Sequence, residues 1–132
     1  MTEREQSFSF DNVASRPIPS ILRNFSAPVK LTTDLSDSDL RLLQLHDTDG
    51  FNRWEAGQTL ALRTIEDLMT DKKSDISQFV DNFGVLIEQG FDKGCDKALL
   101  ARALSLPSVA VVGQTQDQID PSAIDKARDT IL

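Results

Sequence analysis

Histidine, cysteine and tyrosine are almost missing from this sequence of 132 residues, which has one histidine, one cysteine and no tyrosine. Zinc hydrolases of the H-E-x-x-H type need two histidines one helical turn apart, so the single His46 excludes that motif from this sequence. The six glycines are dispersed, which excludes a glycine-rich phosphate-binding loop. We therefore predict no catalytic, cofactor-binding or metal-ligating residue in this chain.

The two chemically versatile side chains have simple structural interpretations. His46 is predicted to be a partly exposed helix residue, because one histidine without further ligands makes no site. Cys95 is predicted to be a packed or surface thiol, because activation of a thiol needs a nearby base or cation. One thiol allows no internal disulfide, which fits a reducing compartment, and we expect a cytoplasmic location.

Charge and hydropathy argue against two classes of partner. The formal net charge is −7, and Lys72-Lys73 is the only basic pair, whereas nucleic-acid-binding proteins usually have a basic face. No apolar run approaches the roughly 18 residues that a membrane span needs. Residues 1–6 are polar, unlike the start of a signal peptide. We expect neither nucleic acid nor a membrane as a partner.

Residues 16–31 form an unusual run with three prolines, two arginines and several large apolar side chains. Proline fixes φ, removes a hydrogen-bond donor and pushes the preceding residue toward extended geometry, so the run is predicted to be neither helix nor central strand. A solvated linker would not carry this much apolar surface. We interpret the run as a rigid, buried connector between two structural units, one of them almost missing, which indicates a segment of a larger protein.

The arm before the helices, residues 1–31, contains two short strand-like alternations, at residues 8–10 and 29–31. A lone pair of strands is marginal in water, so the arm is predicted either to fold back onto the helices or to associate with another chain. We favour self-association through residues 1–31, since unpaired edges template such contacts. The side chains expected to be partly exposed are Phe8, Phe10, Ile18, Ile21, Leu22 and Phe25.

From residue 33 onward the apolar period is helical and predicts about five helices. The predicted fold is mainly α, a helical bundle or superhelix with a short extended β arm at the N-terminus. Ser36 with Asp39 marks the first helix start, and Asp120 before Pro121 marks the last. Residues 71–75 are predicted to be a polar turn, and the periodicity of residues 109–113 is ambiguous. The predicted inward-facing residues are Leu40 and Leu43, with Leu42 left open, and then Phe51, Trp54, Ala61, Ile65, Leu68 and Met69. A fourth helix that stops before Pro107 is indicated by Ala98, Leu99, Arg102, Ala103 and Leu104. The apolar side of the last helix is predicted to consist of Ala123, Ile124, Ala127, Ile131 and Leu132.

The third helix carries the clearest apolar stripe, which is weakened by Gly84 and ended by Gly90 and Gly94. We predict that Trp54 packs against this stripe as the core between the second and third helices. The stripe consists of Ile76, Phe79, Val80, Phe83, Ile87 and Phe91.

Residues 47–50, Asp-Thr-Asp-Gly, look like part of a calcium-binding loop. Aligning Gly50 to the EF-hand glycine places Leu45 at the first ligand position and Ala56 at the twelfth, where oxygen donors are required. The alignment therefore fails, and an ordinary turn between two helices with Asx hydrogen bonds is predicted instead.

Several stretches of the sequence together carry a family likeness. The two most specific are residues 16–23, Arg-Pro-Ile-Pro-Ser-Ile-Leu-Arg, and residues 49–58, which read D-x-F-x-R-W-x-A-x-Q. The supporting stretches are residues 6–10, 25–31, 104–108 and 119–121, with Ile124 and Arg128. Over nearly its whole length the sequence resembles the bacterial aminopeptidase N (alanyl aminopeptidase) family of gluzincin zinc metallopeptidases.

The resemblance implies a part of an enzyme that removes N-terminal residues from peptides. Residues 1–32 would be the end of its β-sandwich domain plus the connector, and residues 33–132 would begin its helical C-terminal domain. The family's zinc ligands, amine-binding glutamates and catalytic tyrosine lie upstream, so the resemblance assigns no catalytic residue here and zinc belongs to the parent enzyme. The implied partners are the remaining domains of that parent, with peptides as its substrate.

Two functional hypotheses remain open at this point. In the first, the chain is a non-catalytic part of a zinc aminopeptidase, inactive alone, that serves as scaffold and as part of the substrate-chamber wall. In the second, it is a free-standing helical interaction module that binds a partner peptide in an apolar groove. The extent of the source reading frame before Met1 and beyond Leu132 discriminates between them.

Overall fold

A computed structural model describes residues 5–70 and 76–132 of the chain. In these residues the first α-helix begins at Asp37, and most of the described residues after it are helical. This confirms the expectation of a mainly α chain, although six α-helices are present in the described residues where about five were expected. The helices are α1 (Asp37–His46), α2 (Gly50–Met69), α3 (Ile76–Gln89), α4 (Lys97–Ala103), α5 (Val109–Gly113) and α6 (Pro121–Ile131). The additional helix is α5, in the segment whose periodicity is ambiguous. The polar turn predicted at residues 71–75 lies outside the described residues.

Side-chain caps define where most of these helices begin. Ser36 Oγ accepts a hydrogen bond from the Asp39 N–H, and the Asp39 carboxylate accepts one from the Ser36 N–H, which is a capping box. Asp120 accepts from two N–H groups of α6, whose first residue is Pro121. Both predicted helix starts are therefore confirmed. Asp49, Asp96 and Ser108 cap α2, α4 and α5 in the same way.

Helix α2 is the centre of the structure, because it contributes to each of the three buried clusters. Near its start, Ala56 packs with Leu40 and Leu43 of α1. In its middle, Leu60 and Ala61 pack with Phe79 of α3. Toward its end, Ile65 packs with residues of α5 and α6, namely Val112, Ile124 and Ala127. Among the described residues, none of the helices combines the length and the apolarity that crossing a membrane requires.

The prediction of which side of α3 faces the core is wrong. The buried side is rotated about the helix axis relative to the predicted stripe. Phe79 is buried and its ring centroid lies 4.8 Å from that of the partly buried Phe83. Val80 and Ile87, however, are 49% and 48% exposed. The buried positions of α3 are Phe79, Asn82 and Leu86.

A buried hydrogen bond between two polar side chains explains the rotation of α3. Asn82 Nδ2 donates to Gln44 Oε1 of α1 at 3.0 Å, and Gln44 is 1% exposed. Gly57 of α2 makes room for this pair, since a Cβ there would lie 2.7 Å from Gln44 Nε2. The helix therefore turns a polar residue inward, which an analysis of apolar periodicity alone does not reveal.

The prediction that Trp54 belongs to the core between α2 and α3 is also wrong, because Trp54 is not among the buried residues. Trp54 is half-buried, and its ring centroid lies 5.6 Å from that of Phe51. The guanidinium carbon of Arg102, in α4, lies 5.1 Å from the Trp54 ring centroid. A cation over the indole face is attracted by the negative face of the ring. Trp54 therefore joins α2 to α4.

Replacing Phe79 by alanine tests the observed orientation of α3. We expect Phe79→Ala to lower the free energy of unfolding by about 3–5 kcal/mol, because a large buried ring leaves a cavity. The neighbouring change Val80→Ala is the matched control and should cost less than about 0.5 kcal/mol, as exposed positions do. Both are measured by chemical denaturation followed by circular dichroism. Equal losses at the two positions would contradict this orientation.

Candidate functional site

The most elaborate polar site in the described residues is the contact between the arm and the turn that joins α1 to α2. Arg23, in a short 3-10 turn (Arg23–Phe25), donates to Asp47 Oδ1 at 2.7 Å and to Ser20 Oγ at 3.2 Å. Its second terminal nitrogen donates to Thr48 Oγ1. The Asp47 side chain is only 1% exposed, so this is an ion pair with a buried carboxylate.

Asp49 belongs to both sides of this contact. Its Oδ1 accepts hydrogen bonds of 3.0 Å from the N–H groups of Phe51 and Asn52, which caps α2. Its Oδ2 accepts a hydrogen bond of 3.0 Å from the Asn24 N–H of the arm. The Asp49 carboxylate therefore caps the N-terminus of α2 and binds the arm through the same side chain.

The turn at residues 47–50 has the Asx hydrogen bonds that the sequence predicts. Asp47 Oδ1 accepts from the Asp49 N–H at 2.8 Å, two residues further along the chain. The carboxylates of this turn are engaged with N–H donors of the protein. Among the described residues, no group of three or more His, Cys, Asp or Glu side chains is arranged to hold a metal ion.

Further contacts extend along the arm on both sides of Arg23. Asn52 Nδ2 donates to Ser20 Oγ and to the Ile21 carbonyl, each at 2.9 Å. The rings of Phe25 and Phe51 lie 4.5 Å apart between centroids.

Nearer the N-terminus, a second ion pair and an apolar contact attach the arm to α1. Arg16 donates to Asp39 Oδ2 at 3.0 Å. Ile18 packs on the cluster that contains Leu40 and Leu43. The arm therefore folds back onto α1 and α2, which is one of the two outcomes expected from the sequence.

The arm is nevertheless exposed, so the expectation of a buried connector is wrong for this chain. Phe8, Phe10, Ile21 and Phe25 are exposed, whereas Ile18 and Leu22 are half-buried, in line with the expected partial exposure of the arm. Among the described residues no strand forms at 8–10 or 29–31. A short alternating segment without a neighbouring strand lacks partners for its backbone groups.

The backbone of the arm is strained where it meets the helices. Leu22, Asn24 and Phe25 have φ values of 57°, 54° and 53°. These lie in the left-handed region, which large side chains rarely adopt. The hydrogen bond from the Asn24 N–H to Asp49 and the contact of Phe25 with Phe51 hold this conformation in place.

Three carboxylates at this site have lowered pKa values. Burial raises the pKa of Asp47, but hydrogen bonds from the Asp49 N–H and Ser20 and the charge of Arg23 outweigh it, so the pKa is below its ordinary value. Hydrogen bonds from the N–H groups of Asn52 and Asn24 lower the pKa of Asp49. Hydrogen bonds from Ser36 lower the pKa of Asp39. The ionised forms of Asp47 and Asp49 therefore stabilise the contact with the arm, and the ionised form of Asp39 stabilises mainly the start of α1.

The remaining chemically versatile residues line a cleft of about 590 Å³ between the end of α1 and α4. His46 is exposed at the last turn of α1, and Cys95 is half-buried. Arg53 donates to the Gln44 carbonyl at 2.9 Å and to Gln89 Oε1 at 2.7 Å. Arg53 therefore connects α1, α2 and α3 through hydrogen bonds. His46 and Cys95 lie at the same cleft, but in the described residues they are not arranged with a base or a cation that would activate the thiol.

Removing Arg23 tests the arm contact. Asp47 Oδ2 has no hydrogen-bond partner among the described residues, so the buried carboxylate depends on Arg23 for its charge compensation. We expect Arg23→Ala to cost about 1–3 kcal/mol, because the buried Asp47 carboxylate loses its cationic hydrogen-bond partner, and to speed proteolysis of the arm. Lys30→Ala, at an exposed arm position, is the control and should change neither quantity. An Arg23→Ala protein with wild-type stability and an equally protected arm would contradict the contact.

The lowered pKa values also predict a dependence on pH. A carboxyl whose pKa is lower in the folded state adds stability above its unfolded pKa, about 3.9, and loses it as the pH falls through the folded pKa. We therefore expect protection of the arm from hydrogen exchange to decline below about pH 4. Asp47→Asn should reduce this pH dependence, whereas Asp11→Asn, at an exposed arm position, should leave it unchanged.

Comparison with known proteins relates both parts of this contact to one group of enzymes. Residues 37–132 match the family described as "Domain of unknown function (DUF3458_C) ARM repeats", and residues 1–34 match "Domain of unknown function (DUF3458) Ig-like fold". Aminopeptidase N of Escherichia coli (strain K12) is 37% identical over 99% of this chain, and Aminopeptidase N of Caulobacter vibrioides is 35% identical over 98%. The chain spans only 15% of the length of each of these relatives.

A solved structure agrees with these relatives. The crystal structure of Legionella pneumophila aminopeptidase A in complex with aspartic acid matches with a TM-score of 0.77 and 36% identity, over 94% of this chain and 14% of that chain. The family likeness seen in the sequence is therefore confirmed. The chain belongs to the DUF3458_C family of ARM-repeat helical domains and is homologous, over almost its whole length, to a short segment of bacterial aminopeptidase N.

Proposed function

We propose that this chain is a non-catalytic structural part of a zinc aminopeptidase that removes N-terminal residues from peptides. In that enzyme it serves as a scaffold and forms part of the wall of the substrate chamber. The observation that carries the proposal is that the two most specific stretches of the family likeness, residues 16–23 and 49–58, contact each other. Arg23 pairs with the turn just before Asp49, and Asn52 binds Ser20.

We further propose that the chain divides into residues 1–32, the end of a β-sandwich domain with its connector, and residues 33–132, the start of a helical domain. The family matches support this division, since one ends at residue 34 and the other begins at residue 37. The contact of Arg23, Asp47 and Asp49 would then fix the angle between two domains. Such a junction would hold the domains in a fixed orientation and would need no catalytic residue of its own.

We propose no catalytic, cofactor-binding or metal-ligating residue in this chain. Zinc, the metal of the enzymes it resembles, does not fit the described residues, because they contain no suitable group of His, Cys, Asp and Glu side chains. The zinc of the parent enzyme would be held by its other domains, and those domains and the peptide substrate are the proposed partners, in the cytoplasm. Self-association through residues 1–31 remains a proposal for the isolated chain, supported by the exposure of Phe8 and Phe10.

Activity measurements test the proposed function directly. We expect the isolated chain with added zinc to release no p-nitroaniline from alanine p-nitroanilide above a metal-free blank. The product of the complete reading frame should release it, and a chelator should stop that reaction. Turnover by the isolated chain would contradict the structural role, and a complete product without turnover, or a reading frame that encodes only this chain, would favour the interaction-module hypothesis.

A further inference from the structure

Besides its buried side, helix α3 has a row of exposed apolar residues that no part of the described chain covers. Val80 and Ile87 are 49% and 48% exposed, and Phe91, just beyond the end of α3, is 81% exposed. Val80, Gly84 and Ile87 follow spacings of four and three residues, which places them in one row along the helix, and Phe91 follows just past its end. We call Val80, Gly84, Ile87 and Phe91 the outer stripe.

Gly84 makes a notch in the middle of the outer stripe. A Cβ at this position would meet no atom within 4 Å. Glycine inside a helix is less favourable than alanine, and the contacts of the described residues give no reason for a glycine here. A notch between Val80 and Ile87 allows the backbone of another helix to come close, as small residues do where helices cross.

One edge of the outer stripe is acidic. Asp81 and Glu88 are exposed and lie seven residues apart, so they are on the same side of α3, next to Val80 and Ile87. An occupant of the stripe should therefore present apolar side chains with basic residues along one edge. A second copy of this chain fits poorly, because each copy has the same acidic edge and a net charge of −7.

We propose that the outer stripe is the stacking surface for a further helix of the same ARM-repeat domain, an apolar helix with a basic edge carried by the longer polypeptide. In repeat proteins each unit buries its apolar face only by stacking on its neighbour. The matched family has ARM repeats, and the relatives extend well beyond the 15% of their length that this chain spans. The inference rests on the proposed function, since it requires that this chain be part of such a domain.

Thiol labelling at two nearby positions tests the stacking. Ile87→Cys lies in the outer stripe, and Val85→Cys, an exposed position on another side of α3, is the matched control. In the isolated chain both should react with a maleimide at similar rates, read by peptide mass mapping. In the product of the complete reading frame, position 87 should react at least tenfold more slowly than position 85.

Three results would overturn the proposal. Equal reactivity of positions 87 and 85 in the complete product would show that no helix covers the stripe. Protection of position 87 in the isolated chain that grows with concentration would assign the surface to a second copy. A reading frame without further helical sequence would remove the proposed occupant. The aminopeptidase assay separates the two proposals, because an active product with an unprotected position 87 contradicts the stacking and leaves the proposed function intact.

Gly84→Ala provides a second test, which measures whether the melting temperature rises or falls. In the isolated chain the new methyl group meets open space, and alanine favours the helix, so the melting temperature should rise. In the complete product the same methyl group should collide with the stacked helix and lower the melting temperature. A rise of similar size in both proteins would overturn the proposal.

Discussion

The buried carboxylate of Asp47 is the constraint on which the shape of this molecule depends. It sits at the sharp turn between α1 and α2, where one oxygen accepts hydrogen bonds from its own turn and from Arg23 of the arm. A carboxylate that is 1% exposed is stable only when it is paired. The arm before α1 and the turn between α1 and α2 are therefore held by the same carboxylate.

Local signals in the sequence predict the helices well, whereas contacts between distant residues remain hidden. Ser36 and Asp120 identify helix starts because a cap is recognised by side chains within three residues of it. The rotation of α3 depends on Gln44 and Asn82, which are 38 residues apart, and apolar periodicity does not detect a buried polar pair. Arg102 over Trp54 is another contact that no local pattern indicates.

The same distinction applies to the candidate site. The sequence identifies the proline-rich run and the Asp-rich turn as unusual, and the likeness of both to one family is visible in their residues. That Arg23 contacts Asp47 across 24 positions is not visible, because arginine and aspartate are common and their pairing requires the folded chain. The one available signal is that two otherwise unrelated stretches both match the same enzymes.

The amide of Gln44 has a consequence for how this domain varies among relatives. It lies between Gly57 and Asn82, so it connects three helices through one side chain. Replacing it by an apolar residue of similar size would leave Asn82 buried without its partner, and enlarging Gly57 would displace the amide. A single change at one of these positions should therefore cost stability, and a compensating change at another should recover part of it. Residues 44, 57 and 82 should consequently covary as a triplet in the evolution of the domain, which makes them a marker of the register in which α1, α2 and α3 pack.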